Sequence, residues 1–176
     1  MALGCVTGLA YAESVEVPAG NELDASIVNY RRVTPVIATS GVLREGAIAR
    51  LKAHRFSTIV DLRTPPEGTR AEQVAAQAAG LRYFNIPISD GAPTLEQLRE
   101  FARLVEDSAN HPLLVHCASA NRVGAMWSLY RAFRGVPRET ALVEGRAIGM
   151  TDGRERQLRQ AWCTQPGLLP EAELSC

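Results

Sequence analysis

The chain carries no net charge, because its 19 lysine and arginine residues are balanced by 19 aspartate and glutamate residues. A nucleic-acid-binding protein usually shows an excess of positive charge, so this balance argues against that class of partner. Cysteine is also scarce, with one residue each at positions 5, 117, 163 and 176. They form no Cys-x-x-Cys pair and no paired histidine spacing accompanies them, so we predict no metal site.

Long apolar runs are missing as well. No stretch approaches the roughly 20 residues that a membrane-spanning helix needs, so we predict no membrane span. A short apolar run ends in Ala10-Tyr11-Ala12, which resembles a secretory cleavage site although a cationic leader is absent. We interpret residues 1–20 as a remnant signal peptide or a disordered arm. Export would place the protein in the periplasm or outside the cell, and without export it would be cytoplasmic.

Export would also permit a disulfide bond near the C-terminus. Cys163 and Cys176 are close enough in sequence to tie down the tail, which would leave Cys117 as a free thiol. The alternative is that both tail cysteines are unpaired.

A length of 176 residues with 46% hydrophobic residues is enough for one domain with its own core, which we assign to residues 21–176. Strand-like runs alternate with helical faces, a pattern that predicts an α/β fold with a central, mainly parallel sheet flanked by helices. Short strands are expected at 26–30, 35–38, 58–62, 82–86 and 112–116. Later helices are expected from about 69 to 79, from Thr94, from near Arg122, and over 138–149 and 152–163.

The segment with the clearest chemistry runs from the strand at 112–116 through Cys117 to a helix that begins near Arg122. Loop amides and the helix N-terminus attract an anion to such a loop and favour the thiolate form of the cysteine. The planar fork of Arg122 would bind two oxygens of that anion. His116 would orient the loop, whose expected lining residues are Ala118, Ser119, Ala120 and Asn121.

Val115-His116-Cys117, followed by Ser119 and Arg122, resembles the cysteine-phosphatase superfamily, which works through a phosphocysteine intermediate. The segments 29–33, 39–41, 59–63 with Glu67, and 84–88 are similar to the bacterial phosphatase-like domain also found fused to beta-lactamase-like hydrolases. This resemblance covers roughly residues 26–150. It implies a cysteine-phosphatase-like fold and hydrolysis of a phosphorylated small molecule or phosphoprotein, with no metal or organic cofactor.

A phosphatase of this type also needs a general acid. The best candidate is Asp90, which precedes Cys117 by 27 residues on a loop rich in glycine and proline. Asp90 could instead simply begin a turn. Asp61 is the second choice, and we expect it to anchor its own loop with Arg63 as a partner.

Three departures from the phosphatase pattern keep other functions open. Four residues separate Cys117 from Arg122 where phosphatases usually have five, a spacing closer to rhodanese-like sulfurtransferases. Ala120 stands where glycine is common, and the loop is strained if that position needs a positive φ. Val123 replaces a hydroxyl residue that helps the cysteine leave, a role that Ser119 could take over. The alternatives are therefore a sulfurtransferase with a Cys117 persulfide, or an inactive module that binds anions or phosphopeptides.

Overall fold

A five-stranded sheet forms the centre of the molecule in the computed structural model, which describes residues 15–165, 167 and 168. Its strands are β1 (Arg31–Thr34), β2 (Ile37–Ser40), β3 (Thr58–Asp61), β4 (Arg82–Asn85) and β5 (Leu113–His116). They lie in the order β1-β2-β5-β3-β4, and only the β1–β2 pair of this sheet is antiparallel. The predicted mainly parallel sheet is thus confirmed.

The strand expected at 26–30 is wrong. Within it, Ile27 forms a single isolated bridge to Leu43, and the first strand begins at Arg31. Asn29 has φ 53°, a left-handed backbone conformation that interrupts an extended chain.

Six α-helices cover the sheet in the described part of the chain. They are α1 (Ala47–Ala53), α2 (Thr69–Ala78), α3 (Leu95–Glu106), α4 (Asn121–Phe133), α5 (Arg138–Ile148) and α6 (Asp152–Thr164). The predicted capping box at the start of α3 is present, with the Gln97 amide donating to Thr94 Oγ1 at 3.3 Å and the Thr94 amide donating to Gln97 Oε1 at 2.8 Å. None of the described helices is long and apolar enough to cross a membrane.

The position of β5 decides where the candidate loop lies. All four residues of β5 are buried. Leu113 and Val115 belong to one hydrophobic cluster and Leu114 to the other, as expected for side chains that alternate between the two faces of the sheet. Because β5 lies between β2 and β3, its carboxyl end opens at the middle of the sheet edge. Open parallel sheets bind their ligands at this edge.

The helix that follows the loop is fixed by close packing of α4 on α5. A Cβ atom built on Gly124 would lie 2.5 Å from the Gly145 carbonyl oxygen, and one on Gly145 would lie 2.6 Å from the Gly124 carbonyl oxygen. The two backbones approach too closely for any side chain between them. The start of α4 therefore has a rigid support.

Of the cysteines in the described residues, Cys163 is disulfide-bonded and Cys117 is free. Cys176, which we considered as its partner, lies outside the described residues. So do Cys5 and residues 1–14, which carry most of the predicted leader.

Candidate active site

Cys117 lies at the floor of the loop, directly after β5, and its side chain is fully buried. Two loop carbonyls are held by neighbouring segments, since Ala118 O accepts from the Val42 amide at 3.1 Å and Ser119 O accepts from Asn29 Nδ2 at 3.5 Å. Within the described residues, the amides of Ala118, Ser119 and Ala120 donate to no other group. These amides therefore remain available to an anion at the centre of the loop.

Ala120 has the strained conformation that we considered from the sequence. Its φ is 67° and its ψ is −2°, and it forms the N-cap of α4. An L-residue in this left-handed region costs about 1–2 kcal/mol. Its buried methyl group packs against the backbone of Gly149, where an added Cβ would lie 3.1 Å away. The loop therefore turns tightly into α4 without the glycine that usually permits such a turn.

Arg122, in the first turn of α4, forms two hydrogen bonds with Glu67. Its Nη2 and Nη1 atoms donate to the two carboxylate oxygens of Glu67 at 2.6 and 2.7 Å, and Nη1 also donates to Ile88 O at 3.1 Å. The hydrogen bonds to Glu67 are the largest cause of the raised pKa of Arg122, and the proximity of the Cys117 thiol acts in the same direction. Glu67 therefore fixes the orientation of the guanidinium close to the cysteine.

Glu67 is itself held in place by a short 3₁₀ helix, Pro65–Glu67. Its Oε2 atom accepts from the Thr64 amide at 2.8 Å and from Thr64 Oγ1 at 2.9 Å. The hydrogen bond from Arg122 lowers the pKa of Glu67 to about 2, so the carboxylate is ionised at neutral pH. The sequence marked Glu67 as a motif residue but gave no sign that it binds Arg122.

His116 is buried below the loop and contacts carboxylates. Its Nε2 atom lies 2.7 Å from Glu72 Oε1 and 3.6 Å from Asp61 Oδ1. Glu72 comes from α2 and Asp61 from the end of β3, so the histidine connects β5 to both elements. Sequence reasoning missed Glu72, because only the packing of α2 brings it beneath the loop.

The negative charge below the loop is balanced by Arg63. Its Nη2 atom donates to Asp61 Oδ2 at 2.7 Å and to Glu72 Oε2 at 2.6 Å, which confirms that Asp61 anchors its own loop through Arg63. Burial raises the pKa of Asp61, but the hydrogen bonds from Arg63, together with the charge of His116 and a bond from Tyr83, hold it below its usual value.

Asp61, Glu72 and His116 could by geometry hold a metal ion, since one ligand atom from each lies within 4.8 Å of the others. The guanidinium of Arg63 already contacts both carboxylates, so a divalent cation would meet a positive charge there. The cluster is therefore better described as a charged support for the loop.

Asp90 lies where we predicted it, on the loop after β4, and it is exposed. It lines a pocket of about 370 Å³ together with Ser119, Arg122 and Glu67. The structure thus brings Asp90 to the same opening as the cysteine loop.

Two further residues shape this opening. Asn121 Oδ1 accepts from the Thr151 amide at 3.0 Å, which ties the start of α4 to the segment before α6. Arg154, in the first turn of α6, donates through Nη1 to Asp90 O at 2.9 Å and to Ser89 O at 3.2 Å. No motif marked Arg154, because the packing of α6 alone places it beside the loop. Val123, by contrast, is buried in the core and offers nothing to the site.

Comparisons with known proteins place this geometry in a family. A sequence model described as "DSP-PTPase phosphatase fused to NAD+ Kinase" matches residues 25–165. A beta-lactamase hydrolase-like protein of Xylella fastidiosa is 28% identical over 124 residues, which are 67% of this chain and 28% of that relative. The chain therefore matches little more than a quarter of the length of this relative.

Solved structures support the same fold. A variant of Pseudomonas aeruginosa TpbA in complex with pTyr has a TM-score of 0.63 at 20% identity, with 85% of this chain and 89% of that one covered. A mutant form of Tk-PTP has a TM-score of 0.62 at 23% identity, with 74% and 92% covered. Together with the family match over residues 25–165, these findings show that the chain belongs to the DSP-PTPase phosphatase family of domains fused to NAD+ kinase.

Proposed function

We propose that this chain is a cysteine-dependent phosphatase that hydrolyses phosphate monoesters. The observation that carries this proposal is the arrangement around Cys117. The loop amides that follow it have no hydrogen-bond acceptor among the described residues, and Glu67 fixes the orientation of the Arg122 guanidinium nearby. Amide donors and a positioned guanidinium suit the charge that builds up on a phosphoryl group during transfer. Membership of a phosphatase family supports the same chemistry.

In the first step, the Cys117 thiolate attacks phosphorus, and the bond between phosphorus and the leaving oxygen breaks. Asp90 donates its proton to that oxygen, so the alcohol leaves neutral and the phosphoryl group is bound to sulfur. Arg122 and the loop amides bind the non-bridging oxygens throughout. The accessible position of Asp90 at the pocket shared with Arg122 supports this role.

In the second step, water attacks the phosphocysteine, and the Asp90 carboxylate accepts a proton from that water. The bond between sulfur and phosphorus breaks, which releases inorganic phosphate and restores the thiolate. Ser119 is the hydroxyl residue of the loop that lines the pocket, so we assign it the support of the departing sulfur that Val123 does not give.

The substrate in this proposal is a phosphorylated small molecule or a phosphoprotein, and the chemistry needs no metal or organic cofactor. TpbA has been solved with pTyr, a phosphorylated ligand of the type that this proposal requires. The short spacing between Cys117 and Arg122 is the feature that would favour a rhodanese-like sulfurtransferase instead.

The test compares the wild-type chain with Cys117→Ser and Asp90→Asn, using aryl phosphates with good and poor leaving groups. We expect phosphate release that Cys117→Ser abolishes, and a defect in Asp90→Asn that grows as the leaving group becomes poorer. A parallel assay with thiosulfate and cyanide distinguishes the alternatives. Thiocyanate without phosphate release would replace the proposal with a sulfurtransferase, and no product in either assay would indicate an anion-binding module.

A further inference from the structure

The pocket over the catalytic loop continues into a second one along α6. The first pocket measures about 370 Å³ and the second about 640 Å³. Asp90, Asn121 and Arg154 line both, so the two pockets adjoin at these residues. Arg156, Gln157 and Gln160 complete the far side of the second pocket.

Arg154 uses a single nitrogen for its contacts with the protein. All of its hydrogen bonds to described residues run from Nη1 to the carbonyls of residues 89–91. Its Nε and Nη2 atoms donate to no described residue. Together they can donate two parallel hydrogen bonds to two oxygens of one oxyanion. The guanidinium is thus positioned by the protein while donors remain for a ligand.

The cationic charge of this groove is only partly offset by carboxylates. Asp90 lines both pockets and its charge acts on Arg154, but its carboxylate accepts no hydrogen bond from Arg154. In the described part of the chain, Arg154 and Arg156 form no ion pair, whereas Arg159 on the same helix binds both Glu139 and Glu155. Burial and then the positive charge of Arg122 lower the pKa of Arg154, while the charge of Asp90 opposes this shift, so the two guanidinium groups are close enough to repel each other. A second anion bound to Arg154 and Arg156 would offset this positive charge.

The walls of the two pockets also indicate what kind of molecule they fit. Among the described residues that line them, none has an aliphatic or aromatic side chain. An aromatic ring such as that of a phosphotyrosine gains most from apolar walls, which small-molecule sites usually supply. Polar walls with several amide and guanidinium donors suit a hydrophilic molecule with more than one phosphate.

We infer that the substrate is a small hydrophilic phosphomonoester with a second phosphate group, which Arg154 and Arg156 bind while the first phosphate occupies the Cys117 loop. This inference rests on the proposed function and adds a substrate class to it. The second phosphate is not transferred, so it acts through binding and orientation.

The test compares fructose 1,6-bisphosphate with fructose 6-phosphate as substrates, and para-nitrophenyl phosphate as a general phosphatase substrate. We expect kcat/KM to be at least about tenfold higher for the bisphosphate, because charge-assisted hydrogen bonds hold its second phosphate in place. Arg156→Gln should reduce this ratio by roughly 3- to 10-fold, as expected for the loss of one charge-assisted contact, and Arg154→Gln should reduce it further. Arg103→Gln, an exposed arginine on α3, is the matched control and should leave the ratio unchanged.

Arg154 also holds the Asp90 loop, so its variant alone could lower every activity. Arg156, which has no hydrogen bond to the described residues, therefore gives the cleaner result. Equal turnover of the two sugar phosphates, or an unchanged ratio in Arg156→Gln, would overturn this inference while Cys117-dependent release from para-nitrophenyl phosphate still upheld the proposed function. A preference for a phosphotyrosyl peptide over both sugars would also overturn it. Absence of Cys117-dependent release from any of these phosphates would overturn both.

Discussion

Glu67 determines how Arg122 is presented to a phosphate. The two short hydrogen bonds between them fix the plane of the guanidinium, and a neutral amide can accept from it with one oxygen only. We predict that Glu67→Gln lowers kcat/KM for para-nitrophenyl phosphate by about tenfold or more, a loss that steady-state kinetics would measure. Glu139→Gln breaks a similar two-bond pair with Arg159 at the surface and should not change the rate. Equal rates in Glu67→Gln and wild type would contradict the role of Glu67.

The same pair predicts a pH dependence of stability. The pKa of Glu67 falls from 4.5 in its ordinary state to about 2 in the folded chain, with the hydrogen bond from Arg122 as the largest cause. A lowered pKa stabilises the fold above pH 4.5, and that contribution is lost as the pH falls towards 2. In urea titrations, the stability difference between wild type and Glu67→Gln should therefore be constant above pH 5 and shrink below pH 4. A difference that does not change with pH would contradict this assignment.

The positive φ of Ala120 allows a test of strain in the loop. Replacing Ala120 by glycine relieves about 1–2 kcal/mol of left-handed strain, but it costs about 0.4–1 kcal/mol in chain entropy and about 0.8 kcal/mol for one buried methyl group. These effects nearly cancel, so we predict a change within about 1 kcal/mol. Ala125→Gly removes an equally buried methyl from the interior of α4 without relieving strain, and should cost about 2 kcal/mol. Urea unfolding would measure both, and equal losses would show that Ala120 is not strained.

At the level of elements, the loop depends on the contact between α4 and α5. Gly145→Ala would place a methyl group in overlap with Ser128 Oγ and 2.6 Å from the Gly124 carbonyl oxygen, so both the Ser128 side chain and the backbone must move. We predict a loss of about 1–3 kcal/mol in the free energy of unfolding, as for other overpacked sites. Gly149 at the end of α5 packs against Ala120 of the loop. A shift of α5 would therefore move the loop, and phosphatase activity should fall as well.

Gly153 provides the matched control for that substitution. It lies in α6, and an added Cβ would meet only Arg156 Nη2, at 3.9 Å. Gly153→Ala should therefore leave stability unchanged or raise it by up to about 1 kcal/mol. If both alanine variants were equally stable, close packing of α4 on α5 would not hold the loop.

For the molecule as a whole, the sequence predicted features that depend on residues near one another in the chain, and it did not predict contacts between distant elements. The alternation of apolar runs and the direct passage from β5 into Cys117 and Arg122 depend on residues near one another in sequence, and they predicted the sheet, the loop and the start of α4. The isolated positive φ of Asn29 left no such pattern and moved the first strand to Arg31.

Glu72 and Arg154 could not have been predicted, because they reach the site only through the packing of α2 and α6. The partnership of Glu67 with Arg122 likewise joins residues that are 55 positions apart in sequence. Sequence patterns report local geometry and burial, whereas the electrostatics of this site arise from contacts between distant elements.

Binding of an oxyanion should therefore stabilise the entire fold, because the loop, α4, the β3–α2 segment and α6 meet around one site. A ligand at 100 times its dissociation constant adds about 2.7 kcal/mol, which for a domain of this size raises Tm by roughly 5–10 °C. We predict such a shift for the wild-type chain with tungstate in a thermal unfolding assay at constant ionic strength. Arg122→Met should show almost none, while Arg103→Gln should match the wild type. An equal shift in Arg122→Met would mean that tungstate binds elsewhere, and the loop would then lose its assignment as the oxyanion site.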